Sequence, residues 1–594
     1  MEQIKFNPLS QIFAKTVANK VKELFSDAEV NVDELTMELY RQVNDAPNFQ
    51  LGHQALALFP LAKLLKLNPA KASNDLKVEL SKELDTNVFE KLEAKGPYLN
   101  AFYNPNFLLK SLMNDFKNLH NPLMKDAPKT MVEYSQPNTH KVLHVGHMRN
   151  LCMGNSLVKI LRHTGYPVIS ATYPGDVGTH VAKCLWYVKK NNLSPEAGED
   201  KGEWLGKIYT LANTLLEDEK GTDKEDQNRI ELTAILKELH DGSGEYFDLW
   251  KETREWSLTL MKKAYGYADV EFDRWFFESE VDAPSLSFVQ KLYDEGTLVK
   301  DDGAIGMDLS EDKLGFCLLI KSDGTGLYST KDVELARLKF EEFKVQKNIY
   351  VVDNRQSYHF KQVFKVLEKI GFEQAKDCFH LAYEMVELSD GAMSSRKGNI
   401  VNLMDLIHNM EKTIRSRIVE NAKNSDAQTW TEQEIDETAH MIADGAIKYG
   451  MLRFDNNRKI VFEMEEWLNL DGETGPYLQY VHARINSILG KAGHLNLREI
   501  NEDVLTKPKE IQLLLKLNSF NDIILRSAET MKTLHLTGYL FELGKLYNSF
   551  YAEHSVLNAQ TEELKTARLN LCLMTKETMK KGLELLGIKA PNKM

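Results

Sequence analysis

Apolar residues recur at three- and four-residue steps through 9–25 (LSQIFAKTVANKVKELF), the spacing of a helix that buries one face. The same period runs over 51–67 (LGHQALALFPLAKLLKL), where Pro60 interrupts or opens the helix. At 96–104 (GPYLNAFYN) a Gly-Pro turn leads into an aromatic strand, and 114–129 reads as a connector. From 130 the pattern alternates. Strand-like 130–135 (TMVEYS) precedes a helical run from Gly146 to His163, stopped by Gly165, and 167–173 (PVISATY) is the next strand. Further on come a helix at 332–343, a strand at 348–353, a helix at 359–370 and a strand at 379–386. Strands separated by helices of this length pair in parallel, so a doubly wound α/β sheet is predicted. The stretch 185–327 is too long for a crossover and predicts inserted subdomains with exposed loops. From about 430 the period is helical to the end. The expected organisation is an α+β domain over 1–120, a parallel-sheet domain over 121–430 and an all-α bundle over 431–594.

Composition narrows the class. The 594 residues are 43% hydrophobic and 27% charged, with a formal net charge of −13, which argues against indiscriminate nucleic-acid binding but leaves room for a local basic groove. The five cysteines, Cys152, Cys184, Cys317, Cys378 and Cys572, form no C-x-x-C pair. That disfavours a zinc site and a disulfide framework, and it fits a reduced, cytoplasmic protein. The first twenty residues lack the apolar core of a signal peptide, and no run approaches the length of a membrane span.

Two stretches carry the chemistry. In EYSQPNTHKVLHVGHMRN (133–150), His144 and His147 flank a Val-Gly pair between a strand and a helix. Gly146 lets a ligand approach the backbone, the helix N-terminus offers free N–H groups, and the imidazoles can donate to phosphate oxygens. In DGAMSSRKGNIV (390–401), glycine, serine, arginine and lysine combine in a second loop after a strand. Such a cationic loop suits a triphosphate.

Together these loops resemble the paired signatures of class I aminoacyl-tRNA synthetases, and the surrounding words resemble the arginyl-tRNA synthetase form. EYSQPNTHKVLHVGHMRN, YPGDVGTH (173–180), LYSTKD (327–332) and VVDNRQSYH (351–359) follow in that family's order. GPYLNAFYN resembles the end of its appended N-terminal domain. GPYLQYVHAR (475–484), YLFELGKLYNSFY (539–551) and GLELLGIKAPNKM (582–594) resemble its anticodon-binding bundle. The resemblance implies a Rossmann-type catalytic domain, ATP with Mg²⁺, L-arginine and tRNA(Arg) as partners, and a monomer without zinc or membrane attachment. Val177 replaces the family's usual tryptophan, and Val181 and Ala182 are also atypical, which predicts altered packing at the site floor. In the second signature, Ala392-Met393-Ser394-Ser395-Arg396 lacks both usual lysines.

The implied reaction is attack of the arginine carboxylate on the α-phosphorus of ATP, followed by transfer to the terminal adenosine of tRNA. Activation in this family usually requires bound tRNA. His144, Gly146 and His147, with Met393, Ser394 and Ser395, are implied to hold ATP. Lys141, Arg396 and Lys397 are the candidate cations for the departing pyrophosphate. A guanidinium pairs bidentately with carboxylate, and the resemblance gives that role to Glu133 and Asp332. Tyr328 lies one helical turn before Asp332 and would pack along the aliphatic stem. Ser135, Asn138 and Gln356 would hold the α-amino and carboxylate end. A site built for these hydrogen bonds rejects lysine without editing. Tyr477, Tyr480, His482 and Arg484 are candidates for stacking and reading anticodon bases, and 562–594 carries seven Lys/Arg against four Glu. Two alternatives stay open: a tRNA-binding paralogue with impaired catalysis, suggested by the second signature, and a class I synthetase for another amino acid.

Overall fold

The computed structural model describes residues 7–25, 31–388, 402–423, 430–500 and 504–594. Fourteen strands occur among them: β1 Val43–Asp45, β2 Gln54–Ala57, β3 Phe89–Lys95, β4 Tyr98–Tyr103, β5 Thr130–Glu133, β6 Val168–Thr172, β7 Arg274–Trp275, β8 Val299–Asp301, β9 Ala304–Asp308, β10 Phe316–Ile320, β11 Lys347–Asp353, β12 Cys378–Tyr383, β13 Val386–Leu388 and β14 Ile460–Phe462. The first four form an antiparallel sheet in the order β1-β2-β4-β3, packed by helices Pro8–Leu24 and Pro69–Lys82. This is the predicted α+β unit with one correction. Residues 51–67 are not one helix: 54–57 are strand β2, and a helix spans Phe59–Leu64 with Pro60 in its first turn. Pairing of Leu56 with Leu99 and burial of Gln54 against Ser10 and Tyr103 outweigh the local helical period. The stretch 114–129 is also less of a connector than expected, because the helix Pro105–Lys117 occupies its start.

The central sheet is five-stranded and parallel, ordered β12-β11-β5-β6-β7. The first strand lies in the middle and the chain winds outward in both directions, so the carboxyl ends of β5, β6 and β11 meet at the switch point where ligands bind in such sheets. The predicted insertion resolves into two. Four helices, Thr179–Lys190, Lys201–Asp218, Lys224–Asp241 and Glu245–Tyr267, intervene between β6 and β7. The antiparallel sheet β10-β9-β8 then intervenes before β11. The polar run at 217–229 is largely exposed, apart from buried Glu219 and Asn228, and from Lys224 it is helix. The predicted strand 379–386 divides into β12 and the start of β13, which pairs in parallel with β14. Thus β14 departs from the all-helical reading of the last 160 or so residues. Among the described residues no helix is long and apolar enough to cross a membrane.

The helix Val145–Thr164 runs through the centre, with Gly165 as its left-handed cap. It packs against helices Glu432–Leu452, Phe520–Thr530 and Glu562–Leu585 of the C-terminal bundle. Close approach of this helix to the sheet requires Gly154: a Cβ there would lie 2.0 Å from Cγ of the buried Tyr134. Gly154→Ala is therefore expected to destabilise the fold by about 1–3 kcal/mol through overpacking, despite alanine's better helix propensity. A urea midpoint at or above that of the parent protein would contradict this packing.

Candidate functional site

His144 is the N-cap of the central helix. Its Nδ1 accepts from the Gly146 N–H at 3.1 Å, and Nδ1 of His147 accepts from the His144 N–H at 3.1 Å. With both Nδ1 atoms accepting, the proton of each neutral ring sits on Nε2. The rings lie 3.9 Å apart, centroid to centroid. Burial, then the charges of Arg355 and Lys141, push the His144 imidazole down to about 4. Burial, then His144 and Lys141, push His147 well below its ordinary value. At neutral pH the pair is thus two uncharged Nε2–H donors at a helix N-terminus. Lys141 stands close enough to act on both and also lies 5.0 Å over the Tyr209 ring. Arg355, held to Asp353 by two hydrogen bonds of 2.9 Å, is a further cation at this site that the sequence reading gave no role.

The second loop's candidates, Met393, Ser394, Ser395, Arg396 and Lys397, lie outside the described residues. The segment that follows is placed: Asn402 bridges to His144, and the Leu403 N–H donates to Leu143 O at 3.0 Å.

The proposed arginine-binding residues divide into two groups. Glu133 ends β5 and is buried, and Lys339 donates to its Oε2. Gln136 Nε2 donates to Oε1 at 3.2 Å. Asp332 lies in helix Tyr328–Phe343, with His359 Nε2 at 2.6 Å from Oδ2. His359 is raised from its ordinary value: burial opposes the shift, and the hydrogen bond and charge of Asp332 outweigh it. Both carboxylates thus carry intramolecular partners; Lys339 is 206 residues from Glu133, a separation across which local sequence gives no signal. Tyr173, immediately after β6, has a buried hydroxyl without a protein partner. It is raised well above its ordinary value by burial and then by Asp332, Glu278, Glu133 and Asp176, so the two proposed carboxylates belong to one acidic cluster around this hydroxyl. Tyr328, at the start of Asp332's helix, is 70% exposed.

Of the remaining residues, Ser135 and Asn138 hold the backbone. Ser135 is buried at φ +57°. Its N–H donates to Asn150 Oδ1 at 2.5 Å and its Oγ lies 2.9 Å from the Tyr265 hydroxyl. Its side chain is thereby committed to the core. Asn138 bridges to Gly175, where a Cβ would fall 2.3 Å from Asn138 Oδ1. Gln356 is exposed before helix Ser357–Lys369. Asp176 accepts from Arg254 Nε at 2.7 Å and from the N–H and hydroxyl of Ser279, tying the inserted helices to the sheet edge. Val181 and Ala182 are fully buried beside Trp186.

In the bundle the structure corrects two candidates. Tyr477 is buried, with its hydroxyl accepting from Asn548 at 3.1 Å, and His482 is fully buried with Nδ1 2.9 Å from Pro591 O. Neither offers a face to a nucleotide base. Tyr480, 41% exposed, and Arg484, which lies over the Tyr551 ring, remain at the surface. The basic excess at 562–594 is partly spent internally, since Arg568 pairs with buried Glu510.

With this geometry in place, comparison with known proteins is decisive. Residues 108–464 match the family model of class I tRNA synthetases (R), catalytic domain. The chain belongs to the arginyl-tRNA synthetase family. Residues 11–103 match the arginyl tRNA synthetase N terminal domain and 478–594 the DALR anticodon binding domain. The chain is 47% identical to an arginine–tRNA ligase of Bdellovibrio bacteriovorus across the whole of both chains. It is 32% identical to that of Clostridium acetobutylicum, covering 98% of this chain and all of the relative. Thermus thermophilus arginyl-tRNA synthetase superposes with a TM-score of 0.80 at 26% identity, covering 98% of this chain and all of that one.

The site histidines set an acid limit on stability. His140, buried with both ring nitrogens near threonine hydroxyls, and His180 are each lowered to about 3 by burial first, and His144 to about 4. Their folded values lie below the unfolded value of about 6.5. The stability they contribute is complete above about pH 6.5 and is lost progressively as pH drops from there through the folded values of about 3 to 4. Asp115 and Asp522, raised to about 6 mainly by burial, act in the opposite sense. His140→Gln is expected to flatten the acid limb of a urea-midpoint profile by about one proton's slope, roughly 1.4 kcal/mol per pH unit. An unaltered limb would refute the neutral assignment of His140.

Proposed function

We propose that this chain charges tRNA(Arg) with L-arginine, using ATP with its Mg²⁺. The observation that carries the reading is the presence, at the carboxyl ends of β5, β6 and β11, of a neutral histidine pair and of an acidic cluster around Tyr173 that includes Glu133 and Asp332. The triphosphate lies against the first turn of the central helix. His144 and His147 donate their Nε2 protons to its oxygens. The arginine carboxylate is the nucleophile and attacks the α-phosphorus in line, so no covalent enzyme intermediate is needed. Lys141 and Arg355, with Arg396 or Lys397, offset the charge that grows on the departing pyrophosphate. The guanidinium enters the acidic cluster and Tyr328 covers its stem. Asn138 and Gln356 engage the α-amino and carboxylate end. The adenylate then passes its aminoacyl group to the 3′ adenosine of tRNA, and bound tRNA completes the site for activation.

The domains 1–120, 121–430 and 431–594 divide the work into outer-corner contact with tRNA, catalysis and anticodon contact. Tyr480 and Arg484 are the exposed members of the predicted anticodon set. The protein works as a cytoplasmic monomer.

Aminoacylation of total tRNA with each labelled amino acid tests the reading, with arginine alone expected to be charged. Asp332→Ala should raise the KM for arginine about 100-fold or more, by removal of a charge-assisted contact, with the KM for ATP unchanged. Normal charging of arginine by that variant would refute the pocket. Lys141→Ala is expected to slow arginine-dependent ATP–pyrophosphate exchange by about 10²–10³, the scale of a lost charge-stabilising group. An unchanged rate would transfer that role to Arg355, Arg396 or Lys397.

A further inference from the structure

Lys339 is fully buried and ion-paired to Glu133, yet no word of the sequence marks it. In a protein interior such a pair is weak evidence for stability, because apolar residues of similar volume often serve as well or better. Its placement gives it another use. Tyr350, Glu133 and Ala171 are cross-strand neighbours on β11, β5 and β6, so their side chains share one face of the sheet. Helix Tyr328–Phe343 covers that face, with Leu335 and Phe340 packed on Met131 and Ala171. Asp332 and Lys339, two turns apart, lie along one stripe of this helix. Helical side chains lean toward the helix N-terminus, so the Lys339 stem points back toward Asp332. Its ammonium lies 4.3 Å over the Tyr350 ring and 5.9 Å from the Phe276 ring, in an aromatic lining that favours a cation.

Glu133 is thus gripped from behind. Oε2 takes the Lys339 ammonium and Oε1 takes Gln136. An ionised carboxylate has about four acceptor positions, so roughly half remain for an arriving planar donor. We propose that Lys339 is a positioning residue for arginine recognition: its ammonium supplies the counter-charge of the Glu133 carboxylate and orients it so that its remaining lone pairs face the substrate guanidinium. This rests on the assignment of Glu133 to the arginine pocket. Removal of the ammonium would leave a buried carboxylate without a counter-charge, which takes up a proton and turns from acceptor to donor. A protonated Glu133 facing a guanidinium is a clash of donors.

The test uses the full-length protein with Lys339→Met, Lys339→Arg, Glu133→Gln and the Glu133→Gln/Lys339→Met pair, assayed by aminoacylation and ATP–pyrophosphate exchange. Lys339→Met is expected to raise the KM for arginine about 10–100-fold, as for a disrupted buried charge pair, with the KM for ATP unchanged. Its kcat/KM for arginine should also fall as pH is lowered from 8 to 6 more steeply than in the parent protein. Lys339→Arg, which keeps the charge, should restore both. In the Glu133→Gln background, Lys339→Met should add less than about 3-fold, because a residue that acts only through another has no effect once that partner is neutral. A full multiplicative effect in that background, or a parental KM and pH profile in Lys339→Met, would overturn the proposal. If Lys339→Met does not fold, the comparison moves to the charge-free pair against Glu133→Gln: equal arginine KM values support it and unequal ones overturn it. A parental arginine KM in Glu133→Gln itself would instead refute the assignment of Glu133 to the pocket.

Discussion

A helix buried on nearly every face cannot shed its polar side chains into water, and that constraint organises the chain around Val145–Thr164. Its buried polar side chains are costly without partners, and Arg149, Asn150 and Ser156 find theirs on the segments that surround it. Buried Arg149 donates to the carbonyls of Glu384, Asp455, Asn456 and Arg458. Asn150 contacts Ser135, Gln136, Val351 and Tyr383, and Ser156 donates to Leu585 O. One helix therefore joins the loop after β5, the ends of β11 and β12, the turn before β14 and the C-terminal helix. The first turn that presents His144 and His147 leads directly into this bonded stretch, and Ser156 ties the same helix to the last helix of the bundle. Asp455, one of Arg149's carbonyl partners, also pairs through its side chain with Lys532 of the bundle at 2.7 Å.

The parallel sheet and its flanking helices were legible because each buries a repeating apolar face, and period alone separates a helix at 332–343 from a strand at 348–353. Residues 54–57 were not, because four apolar or amide residues before a helix satisfy either period, and the decision belongs to Leu99 and Tyr103, more than 40 residues away. Helices of the first insertion were less legible because charged residues crowd them: the one at 224–241 turns Leu232, Ile235, Leu236 and Leu239 inward, but only Asn228 and Ile235 on it are fully buried.

At the site, motif words located His144, Gly146, His147, Glu133 and Asp332 but not the partners that decide their chemistry. Lys339, His359 and Arg355 are ordinary charged residues in ordinary helical or turn sequence, and only the fold brings them to the functional groups. For Tyr477 and His482 the error ran the other way. Aromatic and imidazole side chains in a tRNA-binding word suggested exposed stacking surfaces, yet they occupy the inward stripe of helix Gly475–Ala492, while Tyr480 and Arg484 occupy the outward one. Residue type carries the chemistry, and helical phase decides whether it can be reached.

The electrostatic design follows from what the site must hold at once: a polyanion beside a guanidinium. A fixed surplus of positive charge at the phosphates would repel the guanidinium, and a fixed surplus of negative charge in the acidic cluster would repel the phosphates. In the proposed site the residues assigned to each ligand are close to balance. The histidines are neutral donors, and Glu133 and Asp332 are each matched to a nitrogen base. Uniform binding of the ground state does not raise the turnover rate. Strong cations therefore serve best where charge appears late, on the leaving pyrophosphate. Lys141 and Arg355 fit that role, since they stand beside the neutral pair without being locked into the core.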